Sequence, residues 1–369
     1  MPKFAFADAA RQRSQTVATV PFATNQRTSV EMPRVGFVSA VHLCLKGSLT
    51  RNVGDTGAFS PRLWNILQRV GFSLNLGANS VVDMSGYGLY TQNNTLQYTY
   101  GPDLGGSIAS LATGMANGSF NMAPGVFRAD ATVPAAPTAT PFVLSWWIPI
   151  AQNMGPNATV GLINLQAQEV RATVDILFGS VADLFPAGSV LTGTSIAANL
   201  TISYVFFEVP NPQNVLWPPL LSHRLLEEKM PFGNTGDLVY TIPPQGTLQR
   251  WCHNVVINGA PAQSGSAAGG DVTQLIVRVN KTDDFYRQTP EFAAELSRQR
   301  LGHSLPEGCF LHDMLNSSSL VDAGTYRDTI NSEAIATLES ILTVNAASVL
   351  GVGNNFVETW RDIVQPLAY

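Results

Sequence analysis

Histidine and cysteine are the residue types that most readily bind metals or act as base and nucleophile, and this chain has five of one and three of the other. The histidines, His42, His223, His253, His303 and His312, are scattered. His303 and His312 flank Cys309 in a His-x5-Cys-x2-His spacing, which matches none of the common zinc modules. A structural role is the expectation for these three, and ion binding by them stays open. Cys252 and His253 are adjacent in a strand-like run. Successive side chains of a strand point to opposite faces, so the two cannot form a nucleophile–base pair by themselves. Cys44, Cys252 and Cys309 lie too far apart for a disulfide framework, which points to synthesis in a reducing compartment. Asp283-Asp284 and Glu227-Glu228 read as solvated turns. There is no Gly-x-Ser-x-Gly elbow, phosphate loop or metalloprotease motif. Gly351-Val-Gly353 lacks the third glycine of a dinucleotide turn. The expectation is a protein with no catalytic residues, no cofactor and no metal.

The elements that would position any site come from composition and pattern. A chain of 369 residues suggests two domains. Charged residues make up 13%, against about 25% in ordinary soluble proteins. With 31 Gly and 23 Pro, this describes many short strands joined by turns. Low charge fits a surface that faces other subunits; a neutral surface rich in Ser, Thr and Asn fits equally. A net charge of −5 gives no overall attraction to nucleic acid or an anionic membrane, and no basic stripe interleaved with aromatics appears. The N-terminus has no apolar signal core, and no run reaches the ~18 apolar residues of a spanning helix. The aromatic end, Tyr369, is a feature of outer-membrane barrels, but the strands lack their regular ten-residue alternation.

The segment Ile202–Leu221 divides the chain. It starts as a β-branched, aromatic strand and then meets Pro210, Pro212, Pro218 and Pro219. Proline removes a ladder donor, so no central strand continues through. Val215, Leu216, Trp217, Leu220 and Leu221 keep the segment apolar, as a stiff joint between packed domains requires. This gives an N-terminal arm at 1–34, a first β domain at 35–209, a joint at 210–235, a second β domain at 236–345 and a C-terminal arm at 346–369. In the first domain, strands are expected at 35–50, 70–76, 86–92, 96–100, 141–150, 169–178 and 199–209, with a helical turn after Ser60-Pro61. Residues 77–141 form a long excursion rich in Gly, Asn, Ala and Pro. In the second domain, strands are expected at 238–242, 248–257, 275–279 and 335–344. Thr289 caps a helix that Pro290 opens and Gly302 ends. Trp64, Trp146, Trp147 and Trp217 sit in apolar runs and are expected in cores; stacking on sugars is the alternative.

Both ends carry assembly expectations. The N-terminal arm holds five basic residues against Asp8 and Glu31, a balance of +3 that leaves −8 on the rest. Lys3, Phe4, Phe6, Arg11 and Arg13 are therefore the candidates for an arm that faces a membrane or an acidic interior. At the other end, Asn355 and Glu358 form a cap-like pair. Phe356, Val357, Trp360, Ile363 and Val364 share one face of a helix that Pro366 ends. The expectation is a C-terminal helix docking through Phe356, Trp360 and Ile363, too short to stand alone.

The order of these elements resembles the double jelly-roll major capsid proteins of icosahedral viruses with an internal membrane, the tectivirus-like lineage. Val35–Thr50 looks like that family's first strand, and Ser60–Leu76 like its short turn into a second strand. Trp146-Trp147-Ile148-Pro149 is similar to an aromatic-aromatic-Val-Pro strand there, and Pro210–Leu221 resembles its inter-barrel joint. Val170–Phe178, Thr201–Val209, Gln249–Ile257 and the Arg-rich helix before Leu305–Phe310 are similar too. The resemblance spans about 35–345 and is weakest at 77–140. It implies an all-β chain of two jelly-roll barrels side by side, with short helices and terminal arms. It implies a homotrimer that is a pseudo-hexagonal tile of a shell over an internal membrane, in a bacteriophage. Its implied partners are further copies of itself, penton or vertex proteins, minor capsid proteins and the viral membrane, with no sequence-specific nucleic-acid contact. It implies synthesis in the host cytoplasm and residence in the virion capsid. Two other classes remain: a viral β-sandwich that binds or cleaves glycans, and a single-jelly-roll coat protein with an unrelated second domain.

Overall fold

The computed structural model describes residues 4–52, 55, 60, 62–75, 77–95, 139–152, 160–167, 169–185, 188–210, 215–216, 221–263, 270–301, 305–314, 329–346, 348, 350 and 354–366. The chain divides into two compact units. One is built from residues 1–93, 99–224 and 366–369, the other from 94–98 and 225–365.

The first unit has two antiparallel sheets. Its strands are β1 (Phe4–Ala5), β2 (Arg11–Pro21), β3 (Arg27–Glu31), β4 (Phe37–Thr50), β5 (Leu67–Leu74), β6 (Asn79–Met84), β7 (Ala139–Pro149), β8 (Ile163–Asn164), β9 (Ala172–Phe178), β10 (Ser195–Glu208) and β11 (Val215–Leu216). One sheet runs β2-β10-β4-β7, with β8 beside the start of β4; β6-β5-β9-β3 follow one another in the second. Period two decides which side is core. In β4, Val41, Leu43 and Leu45 are fully buried, while His42, Cys44 and Lys46 point the other way. In β9, Ala172, Val174, Ile176 and Phe178 are buried in strict alternation.

The helical turn expected after Ser60 is present at Leu63–Ile66, where Ser60 Oγ accepts from Arg62 N at 3.1 Å. The strand expected at 86–92 is instead a helix, Gly86–Asn93, buried at every residue. Burial on all sides erases the amphipathic signal that would reveal it. Gly86 is required there, because a Cβ would lie 2.2 Å from Trp64 O. At the end of this helix the Asn93 amide pairs with the backbone of Trp147, donating to its O at 2.8 Å and accepting from its N at 2.9 Å. The side chain thus does a neighbouring strand's work on the edge of β7.

The second unit contains most of β12 (Leu221–Pro231), with β13 (Gly236–Ile242), β14 (Thr247–Ile257), β15 (Ala260–Pro261), β16 (Val272–Val279), β17 (Asp283–Gln288), β18 (Cys309–Asp313), β19 (Ile330–Asn331), β20 (Leu338–Val344) and β21 (Phe356–Pro366). One sheet runs β13-β20-β16-β17. In the other, β14 has β21 on one edge and β19, β18 and β15 in succession along the opposite edge, and β12 follows β21. Val255, Ile257 and Val357 of this sheet pack with Leu275 and Leu342 of the first. Ala293 of the expected helix, Pro290–Leu301, closes that cluster, and Thr289 caps the helix through Phe292 N.

Both terminal expectations are corrected. Residues 11–31 are not an arm but two sheet strands, β2 and β3. Their exposed faces are polar, as sheet edges need to be, so they lack a core-facing apolar pattern in sequence. The C-terminal helix through Phe356, Trp360 and Ile363 is instead strand β21, paired with β14 from Thr247↔Val364 to Val256↔Phe356. Because 357–364 are buried throughout, apolar residues fall on both faces of the strand and imitate helical spacing. Within the expected joint, residues 221–231 form β12, and Glu227-Glu228 lies in that strand. Asp283-Asp284 begins β17; the turn is one step earlier, where Asn280 and Lys281 hold left-handed φ of 53° and 62°.

Candidate functional site

The buried polar groups gather on β14 and the strands around it. His253 is fully buried, with Nδ1 2.7 Å from Thr359 Oγ1 and Nε2 2.7 Å from Ser340 Oγ. The Trp251 indole N–H donates to the same Ser340 oxygen at 3.2 Å. His312 stacks on Trp251 at 4.7 Å, and its Nδ1 is hydrogen-bonded to the Tyr286 hydroxyl. The rings of His253 and His312 meet edge to face at 5.4 Å. Burial lowers both pKa values, that of His253 to about 3.

A serine on a histidine nitrogen is the geometry of an activated nucleophile. Here the third member is a threonine hydroxyl rather than a carboxylate, and Ser340 and His253 are both sealed from solvent. No substrate reaches the pair, so it works as a bolt between sheets. Cys252 points to the opposite face from His253, as alternation requires. Its thiol and that of Cys309 both donate to Asn254 Oδ1, at 3.7 and 3.2 Å. Burial pushes the Cys252 thiol pKa well up, which makes it a poor nucleophile. His303 lies outside the described residues. Among the described residues, no group of three or more His, Cys, Asp or Glu is placed to hold a metal.

On the other face of β14, Arg250 and Asp362 form an ion pair at 2.7 Å, with side-chain exposures of 4% and 0%. Arg250 Nη1 also donates to Thr95 Oγ1 at 3.2 Å, which ties the start of the long excursion to this sheet. Arg361 pairs with Glu228 at 2.6 Å, and Glu228 accepts from the Tyr240 hydroxyl at 2.9 Å. Sequence reasoning gave neither ion pair, because their partners lie 112 and 133 residues apart and leave no local spacing. Trp64 and Trp146 are core residues, set edge to face at 5.5 Å. Trp147 is half-buried and meets the His42 ring at 4.7 Å with a tilt of 43°, and Trp217 lies outside the described residues.

The N-terminal residues divide among several places. Lys3 lies outside the described residues. Phe4–Ala5 pairs in parallel with Val215–Leu216 of the joint. Phe6 is buried with Phe37, Phe207, Leu162 and Val215, edge to face with Phe37 at 5.4 Å and Phe207 at 5.9 Å. A core ring cannot also face a membrane, so the arm reading fails for Phe6. Arg11 and Arg13 are exposed on β2, and Arg13 lies 3.3 Å from Glu208. Phe6→Ala is expected to cost the first unit about 3 kcal/mol and to expose the Val215 segment to protease. Urea unfolding and limited proteolysis check both. At the C-terminus, Trp360 and Ile363 are buried, and Phe356 is half-buried under the Lys229 ammonium.

No family model matches the sequence, and no curated protein matches it. Solved structures do match. The major capsid protein of Sulfolobus turreted icosahedral virus aligns with a TM-score of 0.67 at 15% identity, over 96% of this chain and 97% of that one. The PBCV-1 virus capsid aligns at 0.63 with 10% identity, over 96% and 93%. The major capsid protein P2 of bacteriophage PM2 aligns at 0.50 with 9% identity, over 97% and 98%. These neighbours are double jelly-roll major capsid proteins of icosahedral viruses. The fold of this chain is therefore a double jelly roll.

Proposed function

We propose that this chain is a major capsid protein whose copies associate as trimers, each a pseudo-hexagonal tile of an icosahedral shell over an internal membrane. The observation that carries the reading is end-to-end likeness, over 96% of this chain, to a viral major capsid protein of nearly the same extent. Two features support it. The hydroxyl–imidazole pair that would suggest catalysis is sealed inside the core, and Trp64 and Trp146, the candidates for sugar stacking, are core residues. The role is structural rather than enzymatic. Its partners are other copies of the chain, vertex and minor capsid proteins, and the enclosed membrane, beside which the exposed Arg11 and Arg13 are the basic groups available. The protein is made in the host cytoplasm and resides in the virion.

Native mass spectrometry of the purified protein tests the reading. The expected species is a trimer that survives dilution, because obligate interfaces usually bury more than about 2,000 Å². Incubation with anionic vesicles is then expected to give closed shells by electron microscopy. A folded monomer at micromolar concentration overturns the proposal.

A further inference from the structure

We infer that His253 and His312 form an acid-sensitive bolt that lets the second jelly roll open as pH falls below neutrality. His253 lies on β14 and bridges Thr359 of β21 to Ser340 of β20, so it joins the two sheets of the roll. His312 lies on β18 and joins Tyr286 of β17, again one sheet to the other. Both are nearly or fully buried, at 0% and 3% exposure.

The surroundings suit neutral imidazoles and offer no compensation for charged ones. Facing His253 are Thr359, Ser340, the Tyr240 ring of β13 at 5.9 Å, and His312. Facing His312 are Trp251, Tyr286 and His253. His312 Nε2 is buried without a hydrogen-bond partner among the described residues. The charged groups nearby are already engaged. Glu228 is held by Arg361 and Tyr240, and Arg300 on the helix donates to the Asp313 carbonyl. Protonating both rings would place two cations 5.4 Å apart, His253 fully buried and His312 3% exposed in the wall of a cavity it shares with Tyr286, Arg300 and Asp313, where desolvation and mutual repulsion act together.

The sign follows from linkage. Burial lowers both folded pKa values below the usual 6.5, that of His253 to about 3. Stability from these groups is therefore full above pH 6.5 and is lost progressively below it, as the opened chain takes up protons the folded one refuses. Between pH 7 and 5, each imidazole that stays neutral in the fold favours opening by about twenty-five-fold, and the pair by about six-hundred-fold. Ordinary carboxylates are mostly still ionised in that window, so they contribute little.

Amide hydrogen exchange on the full-length protein, read by mass spectrometry at pH 7, 6 and 5 and corrected for intrinsic rates, tests this. The expected result is an opening constant that rises by about six-hundred-fold in peptides covering 247–257 and 338–344, with 37–50 and 139–149 much less affected. His312→Phe, which keeps the stacking on Trp251, is expected to remove about half of the logarithmic pH slope. Because a substitution can fail to fold, exchange at the imidazole C2 hydrogens of the unaltered protein provides a second reading. It is expected to give folded pKa values below the usual 6.5 for both rings, that of His253 at about 3. A folded value of 6.5 or above for either ring, an equal rise in both units, or an unchanged slope in a folded His312→Phe protein overturns the inference.

Discussion

Arg250→Ala is expected to cost the second unit about 3–5 kcal/mol, the usual result of removing one partner from a buried ion pair. The Arg250 and Asp362 side chains are 4% and 0% exposed, and they face each other directly in the β14–β21 ladder. Removing the guanidinium strands the Asp362 carboxylate where water cannot solvate it. It also removes the hydrogen bond from Arg250 Nη1 to Thr95 Oγ1 at 3.2 Å. Asp362→Ala should be comparably severe, because it leaves an arginine buried in the same place. The double variant Arg250→Met with Asp362→Leu discriminates, since replacing a whole buried pair by apolar side chains of similar volume is often neutral or stabilising. Urea unfolding of the four proteins closes the cycle. A single variant that loses less than about 1 kcal/mol would mean that the site admits water and that the pair is a surface bridge in energetic terms.

How much of this was legible in the sequence depends on whether an element has one wet face. The strand at 172–178 alternates strictly between buried and half-buried, and the sequence alternation places it correctly. The helix at 290–301 carries its own start signals in Thr289 and Pro290, and basic residues suit its last turn. The proline-broken segment after Val209 marks the end of the first unit's β10. By contrast, 86–93 and 357–364 are buried throughout, so the true period of neither is legible, and each was assigned the other's structure. Strands β2 and β3 fail in the opposite way: they are edges with polar outward residues, and such sequences look like a solvated arm. The bolt at His253 was invisible because its partners lie 87 and 106 residues away. Only the opposition of Cys252 and His253 could be read beforehand, because it is a property of one strand.

Trp360→Ala is expected to lower the stability of the isolated chain by about 3–5 kcal/mol, the range for truncating a large aromatic in a core. Trp360 is fully buried and stands opposite Cys252 in the middle of the β14–β21 ladder. Alanine there leaves a void flanked by main chain on both strands, and a paired strand cannot shift to fill it without breaking register. Trp360→Phe should cost less, because most of the ring volume remains. The strand also decides where the cost appears. A docked helix could belong to either its own chain or a neighbour, whereas β21 forms a ladder with β14 of the same chain from Thr247 to Val256. The loss should therefore be seen as early melting of the protein before assembly, with contacts between copies unchanged once the protein is folded. Deleting residues 356–369 should go further and prevent the second unit from folding, since β14 would lose a neighbour along its length. Calorimetry on unassembled protein and sedimentation of assembled material separate the possibilities. Normal melting with a weakened assembly would mean that β21 is exchanged between copies, and normal behaviour in both would mean that the tail contributes nothing to either.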